Sequence, residues 1–589
     1  MIPRWKRSWG DQNEDLPVDV LPCSNGEYIP LPASAGQRAI MSLADAESER
    51  WRRRLGMSRR QFVRTAAATA VGLWAIDMVG DSRFGSFGFA HNTDTTDACD
   101  LENDGKAGLQ TLQNLPGEFI FDIQSHHVDP DGLWRVNNPA IHAFFAAVWP
   151  QSSPLLGGRP AIRDDGSIRG GGAGELDPIA NLSRHHYMKE LFLDSATTMT
   201  VLSAVPTAPD DKQPLPIKEA AATVRAVNAL ARSQRSVMHA FVMPNRGSAG
   251  NNTDGMGLAP VFLAEELELM EQRAVEYQDI LGGWKVYCPW GDVPNASGWF
   301  LNSPEIGIPF LSQIQHLHDK HGTPAVLASH KGFALPGFDQ RCATTVDVGP
   351  AARAFPGIKF IIYHSGHDSG SAQGPYPGTD NVPPDQRSVD AFIANLHRSG
   401  MNAQAHGGNS PNVYAELGSV WRDVMRTVPT DDFRNPVGGA TAAAHLLGKL
   451  ITHVGPKRVV WGTDSLWYGA PQPEIVALRR FEFTEEGKVL YNLPYGLEGD
   501  VENPAQPAPS PARTIRNAIL GRNAAEAYGI DPDAARNAIS CDQVNAIREE
   551  YITNPNTSIE SAPMASNQMQ GARTRRELFA MMREKPWGP

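Results

Sequence analysis

Between residues 117 and 530 the chain alternates eight times between a short apolar run and a longer segment whose apolar residues recur at helical spacing. The apolar runs fall at 119–127, 198–206, 236–244, 283–289, 324–332, 359–367, 412–419 and 458–465, and read as strands. Helical periodicity marks 218–232, 261–270, 308–321, 388–399 and 441–454, and 512–528 supplies the eighth helix. Eight such alternations favour an α/β fold closed as a (β/α)8 TIM barrel over an open doubly wound sheet. No Gly-x-Gly-x-x-Gly follows any of the runs, which disfavours a dinucleotide-binding fold.

The flanks divide the rest of the 589 residues. Residues 1–57 form an N-terminal extension. In 58–80, Ser58-Arg59-Arg60-Gln61-Phe62 and a short, weakly apolar stretch resemble a twin-arginine export signal. The alternative is an Arg-rich amphipathic helix docked on the body of the protein. Residues 81–116 read as linker, 117–530 as the barrel with an insertion at about 472–510, and 531–589 as a helical tail. The expected location is therefore exported or periplasmic, or cytoplasmic if the segment is not a working signal. A 41% hydrophobic fraction is ample for a large core. The net charge of -12, without a long basic stripe, argues against nucleic acid as a partner. Five scattered cysteines without Cys-x-x-Cys spacing leave His, Asp or Lys to hold any catalytic metal.

In a barrel of this kind the active site lies at the C-terminal ends of the strands. The first run places Asp122, Gln124 and His126 on one face by strand alternation, with Ile123 and Ser125 on the other. The fourth carries Lys285, the fifth ends in His330, the sixth in His364 and His367, and the eighth in Asp464. Imidazoles and a carboxylate converging from different strands suit Zn²⁺ or a similar divalent ion. His127, His316, His318, His321 and His367, taken singly, read as capping or core residues.

Asp122-Ile-Gln-Ser-His126, the Ser-His330 and Tyr-His364 strand ends, Gly462-Thr-Asp464 and the helix Ile519-Leu-Gly-Arg-Asn-Ala-Ala-Glu-Ala-Tyr-Gly529 resemble the amidohydrolase superfamily. The nearest branch is the amidohydrolase-related group that includes aminocarboxymuconate-semialdehyde decarboxylase and γ-resorcylate decarboxylase. The resemblance spans roughly 119–530. It implies a divalent metal held by a strand-one His-x-His pair, the strand-five His and the strand-eight Asp. By position these become Gln124, His126, His330 and Asp464, with His364 and Asp464 as the acid/base groups. Zinc is the default ion and manganese the second choice. Gln124 departs from the pattern: an amide oxygen is a poorer zinc ligand than imidazole, so the site binds metal more weakly, favours a harder ion, or no longer holds one.

In binuclear relatives a strand-four lysine is carboxylated and bridges two metals, which would make Lys285 and both His330 and His364 ligands of a second ion. The plainer expectation is that Lys285 is an ordinary cation paired with Asp or a substrate carboxylate. Glu416 reads as a further acid near the mouth or a salt-bridged rim residue. Trp284, Tyr287, Trp290, Trp299, Trp467 and Tyr468 line an aryl pocket or pack under loops. Gly-rich 166–174 and 370–380 read as loops that shape entry or meet another subunit, and the chain is expected to form a homo-oligomer around a small-molecule substrate. The expected activity is metal-dependent hydrolysis of a small carboxylic, ester, lactone or amide substrate. A non-oxidative decarboxylase and a metal-free binding or structural barrel are the alternatives.

Overall fold

The computed structural model describes residues 35–54, 56–62, 115, 117–143, 145, 179, 182–205, 210–248, 261–291, 298–334, 338–369, 371–426, 439–467, 469–540, 542, 544 and 548. The chain divides into two compact units, Met1–Gln110 and Thr111–Pro589. In the first, a helix over Ala35–Arg54 is followed by a helical turn, Arg59–Phe62, whose Phe62 is buried against Trp51 and Met57. Arg59 pairs with Asp45 at 2.8 Å. The rest of the twin-arginine-like segment, the Gly-rich 166–174, Tyr468 and the tail beyond residue 548 lie outside the described residues. No described helix is long and apolar enough to cross a membrane.

The second unit is a parallel eight-stranded sheet in the order β1-β2-β3-β4-β5-β6-β7-β8. Its strands are β1 (Phe121–Ser125), β2 (Met199–Leu202), β3 (Ser236–Phe241), β4 (Leu281–Val286), β5 (Val326–His330), β6 (Lys359–Tyr363), β7 (Val413–Glu416) and β8 (Val459–Val460). Beyond β8 the chain closes on β1: Ile123 N–H donates to Trp461 O at 3.1 Å, and Asp464 N–H to Gln124 O at 2.9 Å. A parallel bridge joins Ser125 to Ser465. Helices Ile217–Ala231, Leu263–Glu276, Gly307–His321, Val389–Arg398 and Gly439–His453 stand where the periodicity places them.

Strands of a parallel barrel are covered on both sides, which is why their sequences read as continuous apolar runs. Leu202, Met238, Val286, Leu327 and Phe360 pack outward with the helices. Phe121, Ile123, Val201, Val237, Ile361 and Val460 pack inward with Tyr528 of the closing helical run. That run includes a π-helical turn, Ala518–Arg522, and lies directly on β1. A Cβ on Gly521 would overlap the main chain of Phe119, so glycine is what permits the approach.

The ladder is irregular at two places, between Met238 and His239 in β3 against β4, and where the site begins. The register of β1 against β2 shifts between Asp122 and Ser125. Ile123 therefore joins the inner cluster with Gln124, against the expected separation of faces, while Ser125 turns outward to Tyr187 OH at 2.9 Å. A local irregularity of this kind re-aims side chains at a strand end. The Asp122 carboxylate fixes it by accepting from the N–H groups of Gln124 and Thr463, both at 3.1 Å. Residues 472–510 are ordered, with helices Gln472–Arg480 and Glu485–Tyr491 and a bridge from Gly499 to Pro507.

Candidate active site

Gln124, His126, His364 and Asp464 meet at the C-terminal end of the barrel. Asp464 Oδ1 accepts from Gln124 Nε2 at 2.9 Å and stands 3.1 Å from His126 Nε2. Its Oδ2 accepts from Ser419 Oγ at 2.7 Å. Gln124 Nε2 also faces His364 Nε2 at 3.3 Å. An amide NH2 only donates, so His364 Nε2 accepts and the ring proton of the neutral imidazole sits on Nδ1. That Nδ1 is buried with no hydrogen-bond partner among the described residues, as is Gln124 Oε1.

His126 carries the most information. Its Nδ1 lies 2.7 Å from Ser203 O, and since a carbonyl only accepts, Nδ1 bears a proton. In a neutral ring Nε2 is then a lone pair aimed at a carboxylate oxygen. Something positive must lie between them: a second proton on the ring, or a cation shared by both. A backbone carbonyl that fixes the far nitrogen is also how proteins aim a histidine at a metal. The His126 ring is held flat against Trp467, with centroids 5.2 Å apart and planes at 16°.

His330 is the third imidazole. Its Nε2 donates to Phe333 O at 2.8 Å, which leaves the lone pair on Nδ1. Tyr287 stacks on it at 5.1 Å, Phe333 meets it edge-on at 4.8 Å, and the His364 ring lies 4.9 Å away. Among the described residues no three His, Cys, Asp or Glu side chains form a ready metal cluster. The donors nonetheless fit a divalent ion in kind, with the His126–Asp464 pair as the seat, the His330 Nδ1 lone pair nearby, and the unpartnered Gln124 oxygen one rotation away. For Gln124 to join, its amide must turn over, since its NH2 faces Asp464 as it stands.

Burial governs the electrostatics. It drives the His364 imidazole well below its usual range, and takes His330 down to about 3 with help from the Lys285 charge. Burial pushes the Asp464 carboxyl up, but the His126 hydrogen bond, the charges of His364 and His126 and the Ser419 hydroxyl together hold it well below the usual carboxylate range. Burial lifts Asp122 to about 7 and Glu416 to about 8. The backbone is also bent here. Among the described residues, five non-glycine residues have positive φ, and three of them are His364 (62°), Ser365 (50°) and Asp464 (58°). Each such conformation costs on the order of 1–3 kcal/mol and persists only where surrounding contacts impose it.

Several expected residues stand elsewhere or act otherwise. Lys285 is fully buried, but its Nζ lies 3.5 Å above the Tyr363 ring and 4.4 Å above the Tyr287 ring, with no hydrogen-bond partner among the described residues. The expected aspartate partner is not in contact, and burial holds the amine well below its usual range. Glu416 is neither at the mouth nor on the rim: it is fully buried and accepts from the His364 N–H at 2.8 Å. His127 points out of the barrel to Thr223 at 2.9 Å, and His367 pairs with Asp423 at 3.3 Å. Trp284, Trp299 and Trp467 belong to the outer core, Trp467 also stacking on His126, and Tyr287 walls the site beside His330.

Sequence reasoning missed the support beneath the site. Ser203 Oγ lies 2.8 Å from His239 Nδ1 and 2.9 Å from Tyr363 OH, and His239 Nε2 reaches Tyr528 OH at 2.8 Å. Tyr363 OH donates across the barrel to Ile123 O at 2.7 Å. The available signal was a lone histidine inside the apolar run of β3. Ser419, which holds Asp464, had no local signal at all.

Residues 317–530 match the family model Amidohydro_2, described as amidohydrolase. The match runs from the helix before β5 to the closing helix and contains His330, His364, Glu416 and Asp464. Over these residues the chain is similar to the amidohydrolase family. No curated protein matches. Among solved structures, 5-carboxyvanillate decarboxylase from Sphingomonas paucimobilis is 12% identical, covering 70% of this chain and 99% of that one, with a TM-score of 0.36. A 2,6-dihydroxybenzoate decarboxylase complexed with 2,6-dihydroxybenzoate is 10% identical over 71% of this chain and 99% of its own, with a TM-score of 0.35. A manganese-bound dihydroxybenzoic acid decarboxylase from Polaromonas sp. JS666 is 12% identical over 64% and 97%, with a TM-score of 0.32. These likenesses are weak, and the barrel assignment rests on the sheet itself.

Proposed function

We propose that this chain is a metal-dependent hydrolase acting on a small carboxylic, ester, lactone or amide substrate. His126, Asp464 and His330 would hold one divalent ion, with Gln124 joining through its oxygen; zinc suits the imidazoles, and manganese suits the harder oxygen donors. When bound, such an ion polarises a carbonyl and acidifies water. The observation that carries the reading is the His126 geometry, with Nδ1–H fixed on Ser203 O and Nε2 directed at Asp464.

The working groups divide the proton chemistry. Asp464, anchored through Oδ2 on Ser419, takes a proton from the attacking water and returns it to the leaving group. His364 presents an unspent Nδ1–H, which stabilises the oxyanion that develops on the substrate. Burial at the C-terminal end excludes competing water around both. The aromatic wall of Tyr287, Phe333 and Phe338 around His330 favours one second reading, loss of CO2 from a flat aryl acid, with a histidine or aspartate that carries an extra proton delivering it to the carbon.

The two readings separate in one screen. Metal-supplied protein is offered esters, lactones, amides and aryl acids in ¹⁸O-labelled water. Label in the acid product, lost in Asp464→Asn, supports hydrolysis. Release of CO2 without label transfer supports decarboxylation and overturns the hydrolase.

A further inference from the structure

We infer that Glu416 is a positioning residue that fixes His364 in working orientation relative to Asp464. Its carboxyl sits at the C-terminal end of β7, fully buried, and no ion pair joins it among the described residues. Both oxygens are occupied by main chain instead: Oε2 accepts from the His364 N–H at 2.8 Å, and Oε1 from the Gly418 N–H at 2.5 Å. Its own carbonyl accepts from Ser365 Oγ at 2.7 Å. One residue thus grips two consecutive residues that both have left-handed φ.

The turn needs such a grip. A chain leaving β6 with positive φ at His364 and Ser365 loses the ladder partner for the His364 N–H, and a buried N–H without an acceptor is costly. The Glu416 carboxyl supplies the acceptor and so selects the conformation that points the ring at Gln124. Its seat is carved by glycine. A Cβ on Gly462, two residues before Asp464, would overlap the carboxyl, and one on Gly418 would lie 2.8 Å from both of its oxygens.

The second oxygen extends the effect to the other working group. Gly418 opens the helix Gly418–Arg426, and the next residue, Ser419, donates to Asp464 Oδ2 at 2.7 Å. The carboxyl is therefore the common post of two segments, one carrying His364 and one holding Asp464. A direct catalytic role does not suit a group whose oxygens face backbone N–H donors.

The inference rests on the proposed function only in treating His364 as a working group, and its test uses neither metal nor substrate. Full-length, metal-free protein labelled with ¹⁵N at histidine is compared with Glu416→Leu, which keeps bulk and removes both acceptors, and with Glu416→Gln, which keeps one. His364 signals are assigned by their loss in His364→Asn, and His239 signals report an intact barrel. In wild type, His364 should show one neutral tautomer with the proton on Nδ1. Glu416→Leu should lose that single-tautomer pattern while His239 is unchanged, and Glu416→Gln should fall between. An unchanged His364 pattern in a folded Glu416→Leu overturns the inference. If the leucine variant does not fold, an unchanged pattern in Glu416→Gln overturns it and a broadened or mixed one supports it.

Discussion

Two buried polar clusters, near opposite ends of the barrel, are satisfied to different degrees. At the N-terminal end Arg235, just before β3, is fully buried, and Asp542 from beyond the closing helix satisfies it at 2.6 and 2.9 Å, with Thr198 O adding a third contact. At the C-terminal end Lys285 Nζ, Gln124 Oε1 and His364 Nδ1 are as deeply buried and lack hydrogen-bond partners among the described residues. An unsatisfied buried group costs about 1–3 kcal/mol. Stability explains the first arrangement and opposes the second. The positive φ values at His364 and Asp464 fall at the same end.

The comparison breaks most sharply at its satisfied side. Arg235→Met takes the arginine from the buried Asp542 carboxylate, which keeps the Ser233 hydroxyl at 2.7 Å, and should cost about 3–5 kcal/mol in chemical unfolding while metal content is unchanged. An effect under about 1 kcal/mol would remove the contrast. At the other end, Lys285→Met replaces an unpartnered amine with an apolar chain. It should stabilise by about 1–2 kcal/mol in chemical unfolding. Destabilisation would mean that the aromatic faces of Tyr363 and Tyr287 satisfy the amine better than the geometry suggests.

Gln124→His sharpens the site itself. Restoring an imidazole should tighten zinc binding about tenfold or more in chelator competition, a gain of about 1.4 kcal/mol. No change would show that Gln124 stands outside the ligand set. The smallest effect concerns pH and lies in the outer helical layer. Burial, with the charges of His397 and Lys449, holds His453 down to about 4. Its folded pKa lies below its unfolded one, so the unfolded chain takes the proton first. Its contribution is intact above pH of about 6.5 and is lost as pH falls towards 4. His453→Gln should flatten the acid side of the stability curve over that window, and an unaltered slope would remove the assignment.

Most of the barrel was legible because its strands are buried on both faces and its helices on one, and those two patterns differ along the chain. The strand ends at His330, His364 and Asp464 could be placed for the same reason. The irregularity in β1 could not, since the shift between Asp122 and Ser125 depends on Asp122 bonding Thr463 more than three hundred residues away. Glu416 was misplaced because an acid at a strand end ordinarily faces water, and only the space left by Gly462 and Gly418 shows that it turns inward. The supporting Ser203, His239 and Ser419 are held by long-range contacts that leave almost no trace in local sequence.

The central claim is that His126 and Asp464 face one another across a cation. Elemental analysis of protein produced with zinc and manganese supplied, wild type beside His126→Ala and Asp464→Ala, tests it most directly. The account predicts one divalent ion per chain in wild type and loss of that ion in both variants, each still folded. A folded wild-type protein without bound metal, or variants that keep it, would contradict the account and leave His126 as an imidazolium paired with Asp464.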